Sequence, residues 1–189
     1  MNAQLRNLLV LLLLAFPIGR ALADDYADTI KVFRGAGESG HYFNKCYAYA
    51  VFPTIGKGGI GIGGAHGSGR VYANGAYVGD TSMTQVTIGW QLGGQAFSQI
   101  IFFEDKRAFD EFTGGNFEFG AQATAVAITA GASAQAGTTG TSAGASGTQH
   151  SAKTAARYYK GTAVFIVAKG GLMYEASIGG QKFSYKRKP

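Results

Sequence analysis

Residues 56–72 read GKGGIGIGGAHGSGRVY, a stretch in which glycine alternates with larger residues. Gly59, Gly61 and Gly63 are separated by two isoleucines, so in a β-strand one face would be bare backbone and the other would be apolar. A bare face occurs where another backbone or a ligand must approach closely. The stretch therefore predicts an extended segment with another part of the molecule packed tightly against its glycines.

The amino-acid composition also favours a β-rich chain. The 189 residues include 30 glycines and only 3 prolines, and 13% are aromatic. Glycine is unfavourable inside helices, and aromatic side chains favour pleated surfaces. The length suits one domain with its own core. We expect an α+β fold, with a mainly antiparallel, strongly bent sheet or barrel-like β-sandwich of about eight strands. Short helices are expected to flank it at the N-terminus and near Asp105.

The first 23 residues have the anatomy of a secretory signal peptide. Arg6 precedes an apolar run over residues 8–16, and Ala21-Leu22-Ala23 matches a cleavage site. The run is far shorter than the roughly 20 residues that span a bilayer as a helix. We expect cleavage after Ala23 and export to the periplasm or cell envelope.

Cleavage would leave 15 basic and 11 acidic residues, a net charge of +4. That charge favours anionic partners such as phospholipid headgroups, and no nucleic acid is expected outside the cytoplasm.

The remaining chain is predicted to comprise a helical N-terminal segment (24–45), a Gly-rich β-domain (46–185) and a basic tail (186–189). Asn74-Gly75 is typical of a two-residue hairpin turn. Residues 131–151 are nearly all Gly, Ala, Ser, Thr and Gln, which predicts a mobile loop. Helices are predicted over 24–36 and 105–113; strands are predicted over 46–52, where Pro53 ends the run, and over 70–73, 76–78, 84–92, 95–103, 117–130, 163–168, 172–178 and 182–185.

Four blocks stand in order along the chain: AVFPTIGKGGIGIGGAHGSGRVY, VTIGWQLGGQAFSQIIFF, AFDEFTGG and VFIVAKGGLMYEASIGGQKF. Together they resemble the SYLF domain, also called the Ysc84 or Las17-binding domain, over residues 46–185. The resemblance implies a lipid-binding domain. Eukaryotic members associate with phosphoinositide-containing membranes, often through an N-terminal amphipathic helix, and some fungal members also engage actin. Bacterial relatives are commonly exported envelope proteins.

The sequence departs from the family pattern at two places. Ile178-Gly179-Gly180 lacks the acidic residue that usually precedes the closing glycine. The N-terminal segment is also shorter than a usual membrane-binding helix. An exported protein would not meet actin, so that activity is not carried over.

Catalytic and metal-binding patterns are sparse in this sequence. The histidines His41, His66 and His150 are isolated, with no metal-ligand spacing. Gly59, Gly61 and Gly64 form G-x-G-x-x-G, but no helix is predicted after them to receive a pyrophosphate. One cysteine, Cys46, excludes an internal disulfide and leaves burial or intermolecular pairing. We therefore expect no enzyme activity, no cofactor and no metal site.

The predicted function is peripheral binding of anionic phospholipid or phosphoinositide-like headgroups in the cell envelope. Basic residues beside Gly-rich backbone or in the tail would attract phosphate as point charges or, for arginine, as a bidentate fork. The headgroup candidates are Lys57, Arg70, Lys169, Lys186, Arg187 and Lys188. The candidates for insertion into the membrane interface are Tyr26, Ile30 and Phe33 on the N-terminal helix.

Two other functions fit the same sequence. An envelope structural or assembly protein could contact a protein partner through the 131–151 loop or through edge strands. A small integral outer-membrane β-barrel would also combine a signal peptide with alternating strands. The chain ends in KRKP without a terminal aromatic residue, and the IIFF segment is apolar on both faces, which disfavours the barrel.

Overall fold

A computed structural model describes residues 21–60, 62–88, 93–121, 123–128, 157–170 and 178–189. The described chain contains three α-helices, one 3-10 helix and eight strands. The helical elements are α1 (Ala21–Gly35), α2 (Gly37–Gly40), a 3-10 helix (His41–Asn44) and α3 (Lys106–Thr113). The strands are β1 (Ala48–Ile60), β2 (Ile62–Ala73), β3 (Ala76–Ile88), β4 (Gly93–Phe103), β5 (Phe117–Glu118), β6 (Val126–Ile128), β7 (Thr162–Gly170) and β8 (Lys182–Arg187).

The eight strands form one sheet in the order β5-β8-β3-β2-β1-β4-β7-β6. Every pairing is antiparallel except β6 with β7. The sheet is strongly curled and carries a few short helices. The predicted fold class, a bent and mainly antiparallel sheet with short flanking helices, is confirmed.

The predicted long strand over residues 117–130 is wrong. The segment instead supplies β5 at one edge of the sheet and β6 at the opposite edge. The chain from Glu118 to Val126 can reach at most about 28 Å, whereas the edges of a flat eight-stranded sheet lie about 34 Å apart. The sheet must curl for so short a segment to join its edges. Residues alternate in both strands, but alternation does not reveal that the two parts have different partners.

The prediction that the strand ends at Pro53 is wrong. The strand continues to Ile60, and its register with both neighbours shifts between Val51 and Ile55. Proline lacks the N–H needed for a regular ladder, so within sheets it is tolerated at such irregularities. The bulge divides β1 into an aromatic part and a glycine-rich part.

The glycine-rich stretch is a hairpin of β1 and β2 rather than one strand, with Gly59 opposite Gly63. Tight packing against its glycines is confirmed further along β2. A Cβ added at Gly67 would lie 2.6 Å from Cγ1 of Ile55, and one added at Gly69 would lie 2.6 Å from the Phe52 ring. The bare face of β2 therefore leaves room for core side chains of β1.

Two local predictions are confirmed. Asn74 and Gly75 have φ values of 50° and 78° and join β2 to β3 in a two-residue turn. The helix predicted over residues 105–113 is confirmed as α3, and Asp105 caps it, because its carboxylate accepts a hydrogen bond from the Ala108 N–H at 2.8 Å. Residues 76–78 and 84–88 belong to one strand, β3, rather than to two.

The sheet has a different apolar cluster on each face. The inner face, which the chain between β5 and β6 crosses, packs against α3 through residues such as Phe52, Ile101 and Phe112. The outer face packs against α1 and the 3-10 helix through residues such as Phe33 and Phe102. Both faces of β1 and β4 are thus buried at their aromatic ends.

Part of the prediction lies outside the described residues. This applies to the 131–151 loop and to residues 172–177 of a predicted strand, while Ile178 is described and is not in a strand. The predicted strands over 163–168 and 182–185 are confirmed as β7 and β8. Within the described ranges, no helix combines the length and the apolar character needed to traverse a bilayer.

Candidate functional site

The part of the sheet beyond the Pro53 bulge, residues 54–60, 62–68, 82–88, 93–98 and 168–170, is called here the glycine end. On its outer face one row runs across four strands, from Val86 through Gly64 and Gly58 to Gly94. All four residues are exposed. Three neighbouring strands therefore present bare backbone to solvent side by side.

Lys57 lies on the inner face of the glycine end, two residues beyond the core residue Ile55. It is opposite Ala65 on β2 and Gln95 on β4, and its side chain is half-buried. Gln85 lies next in the same row and donates its side-chain amide to the Gly179 carbonyl at 2.9 Å. This row is polar, so the inner face changes from apolar to polar as it approaches the hairpin tip.

Lys169 lies on the outer face at the same end of the sheet. It follows the outer-face residue Val167 by two positions on β7, and its Nζ donates to Oγ1 of Thr54 at 3.0 Å. Lys169 and Thr54 are both exposed. The glycine end thus carries one predicted headgroup cation on each face.

Arg70 lies near the opposite end of the sheet and contacts two aromatic rings. Its guanidinium carbon is 4.3 Å from the ring centre of Tyr26 on α1 and 5.1 Å from that of Tyr77 on β3. Partial burial and a hydrogen bond to Asp80 raise the pKa of Tyr77 to about 12. Nζ of Lys188 lies 5.0 Å from the same Tyr77 ring. Arg70 therefore attaches α1 to the sheet through cation–π contacts.

The predicted basic tail is partly strand. Lys186 and Arg187 lie on β8 opposite Asp80 and Gly79, and the Lys188 N–H donates to the Val78 carbonyl at 2.9 Å. The six headgroup candidates thus form two groups. Lys57 and Lys169 lie at the glycine end, whereas Arg70 and the three residues of the tail lie at the other end.

The three predicted insertion residues face the sheet in this structure. Phe33 is fully buried, and Tyr26 and Ile30 are partly buried against the outer-face cluster. Ser39 strengthens the packing of this region by donating its hydroxyl to the Phe33 carbonyl at 2.5 Å. Insertion of these residues into a membrane stays a prediction, and it would require α1 to leave the sheet.

Comparison with known proteins identifies the family. A model of the Ysc84 family, described as Las17-binding protein actin regulator, matches residues 84–188, more than half of the chain. The chain belongs to the Ysc84 family. Beta cell expansion factor A from Aeromonas veronii is 29% identical over 168 residues, which is 87% of this chain and 56% of that relative. The chain thus spans little more than half the length of this relative.

The range that the Ysc84 model matches does not separate the headgroup candidates into the same two groups as their positions in the sheet. It includes Lys169 and the basic tail but begins at Thr84, so Lys57 and Arg70 precede it. The resemblance predicted from four sequence blocks began earlier, at Cys46. The family assignment is confirmed, and the glycine hairpin lies upstream of the range that the family model matches.

The sequence patterns did not indicate two exposed residues of the glycine end and one exposed residue beside it. Ile62 and Val86 are 70% and 69% exposed to solvent. Lys182 lies opposite Thr84 on the neighbouring strand. The alternation of glycine and isoleucine predicted an apolar face. Whether that face is covered depends on tertiary packing, which the alternation does not contain.

Groups capable of other chemistry are few in the described residues. No cluster of three or more His, Cys, Asp or Glu side chains suited to a metal ion occurs among them. Burial raises the pKa of the Cys46 thiol to about 11, so the thiol is neutral near pH 7. Gly59 and Gly64, from the G-x-G-x-x-G match, lie in β-strands.

Proposed function

We propose that this Ysc84-family protein is exported and binds anionic phospholipid surfaces peripherally in the cell envelope, without catalysing a reaction. One observation carries the proposal. The glycine end joins exposed backbone to Lys57 and Lys169, and its residues 54–60, 62–68, 82–88, 93–98 and 168–170 contain no Asp or Glu. A surface with cations and no carboxylates attracts phosphate groups without local repulsion.

The bare backbone supports this function because phosphate groups can approach the sheet closely. Lysine ammonium groups act as compact charges that bind phosphate from several directions. Glycines at positions 56, 58, 64 and 94 leave no side chain to keep a headgroup away from the sheet. The attraction is electrostatic and largely exposed, so it should weaken as salt concentration rises.

The opposite end of the sheet has a different role in this proposal. Arg70 already contacts Tyr26 and Tyr77, so its guanidinium faces are occupied by rings. Lys186 lies directly opposite an acidic residue, Asp80, on the neighbouring strand. We assign Arg70 mainly to holding α1 on the sheet, and Arg187 and Lys188 to a weaker, general attraction. Actin is not a partner in this proposal, because export would separate it from the protein.

Charge reversal tests the proposal. Lys57→Glu and Lys169→Glu are combined and compared with Lys45→Glu, which reverses an exposed charge outside the glycine end. Vesicles of phosphatidylglycerol and phosphatidylcholine are sedimented with each protein at low salt. The double variant should lose most of its vesicle-bound fraction, and the Lys45 variant should keep it. Equal losses in both would show that overall charge, rather than this site, governs binding.

A further inference from the structure

The outer face of the sheet is covered over only one of its two halves. At the aromatic end, residues such as Val51, Ile100 and Phe102 are fully buried against the helical N-terminal region. At the glycine end, the outer-face positions Gly58, Gly64 and Val86 are exposed. The described residues thus leave this half of the outer face open to solvent.

The open half ends in two exposed apolar side chains. Ile62 lies at the start of β2, and Val86 lies opposite Gly64, two residues further along that strand. Their exposures of 70% and 69% exceed those of the other exposed large hydrophobic residues in the described part of the chain, Val32 at 45% and Tyr159 at 60%. Gly64 has no side chain, so it cannot shield the Val86 side chain opposite it.

The backbone of β1 and β2, the two central strands of the open half, is already hydrogen-bonded on both sides. β1 pairs with β2 and β4, and β2 pairs with β1 and β3, so both are interior strands at the glycine end. Unpaired N–H and C=O groups are the main obstacle to placing backbone in an apolar medium. Exposed glycines on interior strands therefore form a flat surface that can approach lipid without breaking hydrogen bonds.

Charges border this surface without crossing it. Lys169 lies on one side, beside Thr54, and Lys182 lies on the other, opposite Thr84. Lys182 also contacts Glu118 at 3.5 Å, but both side chains are substantially exposed and such pairs are weak. Cations flanking an apolar patch match a bilayer interface with anionic headgroups above acyl chains.

We propose that the open outer face is the membrane-inserting surface of this protein, with Ile62 and Val86 entering an anionic bilayer between the headgroups that Lys169 and Lys182 bind. The inference rests on the proposed function and makes it more specific. It assigns insertion to the strand tip rather than to α1, whose residue Phe33 is fully buried in the protein.

The test replaces apolar side chains by threonine, which keeps the β-branched shape. Ile62→Thr/Val86→Thr is compared with Val32→Thr, which changes an exposed apolar residue of α1. The protein is purified whole and, in parallel, without residues 1–23, whose apolar run could itself bind lipid. Binding to vesicles of phosphatidylglycerol and phosphatidylcholine should fall about tenfold for the double variant. It should stay within about twofold for the Val32 variant.

The outcomes separate this inference from the proposed function. If the unaltered protein fails to bind anionic vesicles, the proposed function fails and the inference fails with it. If the unaltered protein binds and the double variant binds equally, the inference alone is overturned. Loss of binding in the Val32 variant instead would assign insertion to α1.

A second copy of the chain is the other possible occupant of this face. Light scattering measures the oligomeric state of the same proteins. If the double variant changes that state, the face is assigned to self-association and the membrane assignment is overturned. Equal unfolding midpoints confirm that the variants fold. Each single threonine variant repeats the test if the double variant does not fold.

Discussion

Gln99 and Gln181 join distant parts of the sheet through a reciprocal pair of side-chain hydrogen bonds. Nε2 of Gln99 donates to Oε1 of Gln181 at 2.9 Å, and Nε2 of Gln181 donates to Oε1 of Gln99 at 3.1 Å. Both residues are fully buried. The Gln181 carbonyl also accepts the Phe119 N–H at 3.0 Å, which fastens the segment that crosses the inner face.

Removing one member of this pair should destabilise the protein. Gln181→Leu leaves the buried amide of Gln99 without its partner, so the free energy of unfolding should fall by about 1–3 kcal/mol. Urea denaturation measures the change. Gln99→Leu/Gln181→Leu removes both amides and should recover much of the loss. A double variant whose loss equals the sum of the single losses would contradict the coupling.

Glycine at position 69 should be required for packing. In Gly69→Ala the new Cβ would lie 2.6 Å from the Phe52 ring and 2.8 Å from the Val51 carbonyl oxygen. Overpacking of this kind typically costs about 1–3 kcal/mol. Gly56→Ala is the control, since nothing lies within 4 Å of its added Cβ. Thermal unfolding should show a lower midpoint for the first variant only; equal midpoints would contradict the packing.

Arg70→Ala should loosen α1 while leaving the sheet intact. The substitution removes the cation from above the Tyr26 ring, a contact worth about 0.5–1 kcal/mol at an exposed site. Amide hydrogen exchange should therefore accelerate in α1 and stay unchanged in β1. Lys31→Ala, at an exposed position on the same helix, should have no such effect. Uniform acceleration across the chain would argue against a local role for Arg70.

Alkaline pH should destabilise the fold. Burial raises the pKa of Cys46 from 9.0 to about 11, so the folded state favours the neutral thiol. That contribution to stability is complete below pH 9 and is lost as the pH rises towards 11. Tyr77, with a pKa raised from 10.0 to about 12, adds to the loss at higher pH. Urea midpoints between pH 7 and 11 measure the decline, which should be smaller above pH 9 for Cys46→Ala. If stability declined identically in Cys46→Ala and in the unaltered protein, the thiol would not contribute to the loss at alkaline pH.

Local features of the fold could be predicted because neighbouring residues determine them. Asn74-Gly75 determines a turn by its own conformational preferences, and Asp105 caps the helix that directly follows it. The partners of each strand depend on residues far away in sequence. Residues 117–128 alternate as one strand would, yet β8 and β7 bind their two ends at opposite edges of the sheet.

The candidate site was predictable in its charges and not in its arrangement. Lys57 and Lys169 adjoin glycines in sequence, a pattern that predicts headgroup contacts, and the fold brings both to the glycine end. The contact of Arg70 with Tyr26 joins residues far apart in the chain, so no local pattern indicates it. Exposure of Ile62 and Val86 likewise depends on where α1 packs, which follows from the aromatic cluster at the other end of the outer face.

Co-sedimentation with lipid vesicles tests lipid binding most directly. Residues 24–189 are mixed with vesicles of phosphatidylcholine alone or with added phosphatidylglycerol, each at low and high salt. We expect binding to the anionic vesicles at low salt, reduced binding at high salt because exposed charges are screened, and little binding to phosphatidylcholine. Absence of binding to both vesicles, or equal binding to both at either salt concentration, would contradict a surface that recognises anionic headgroups.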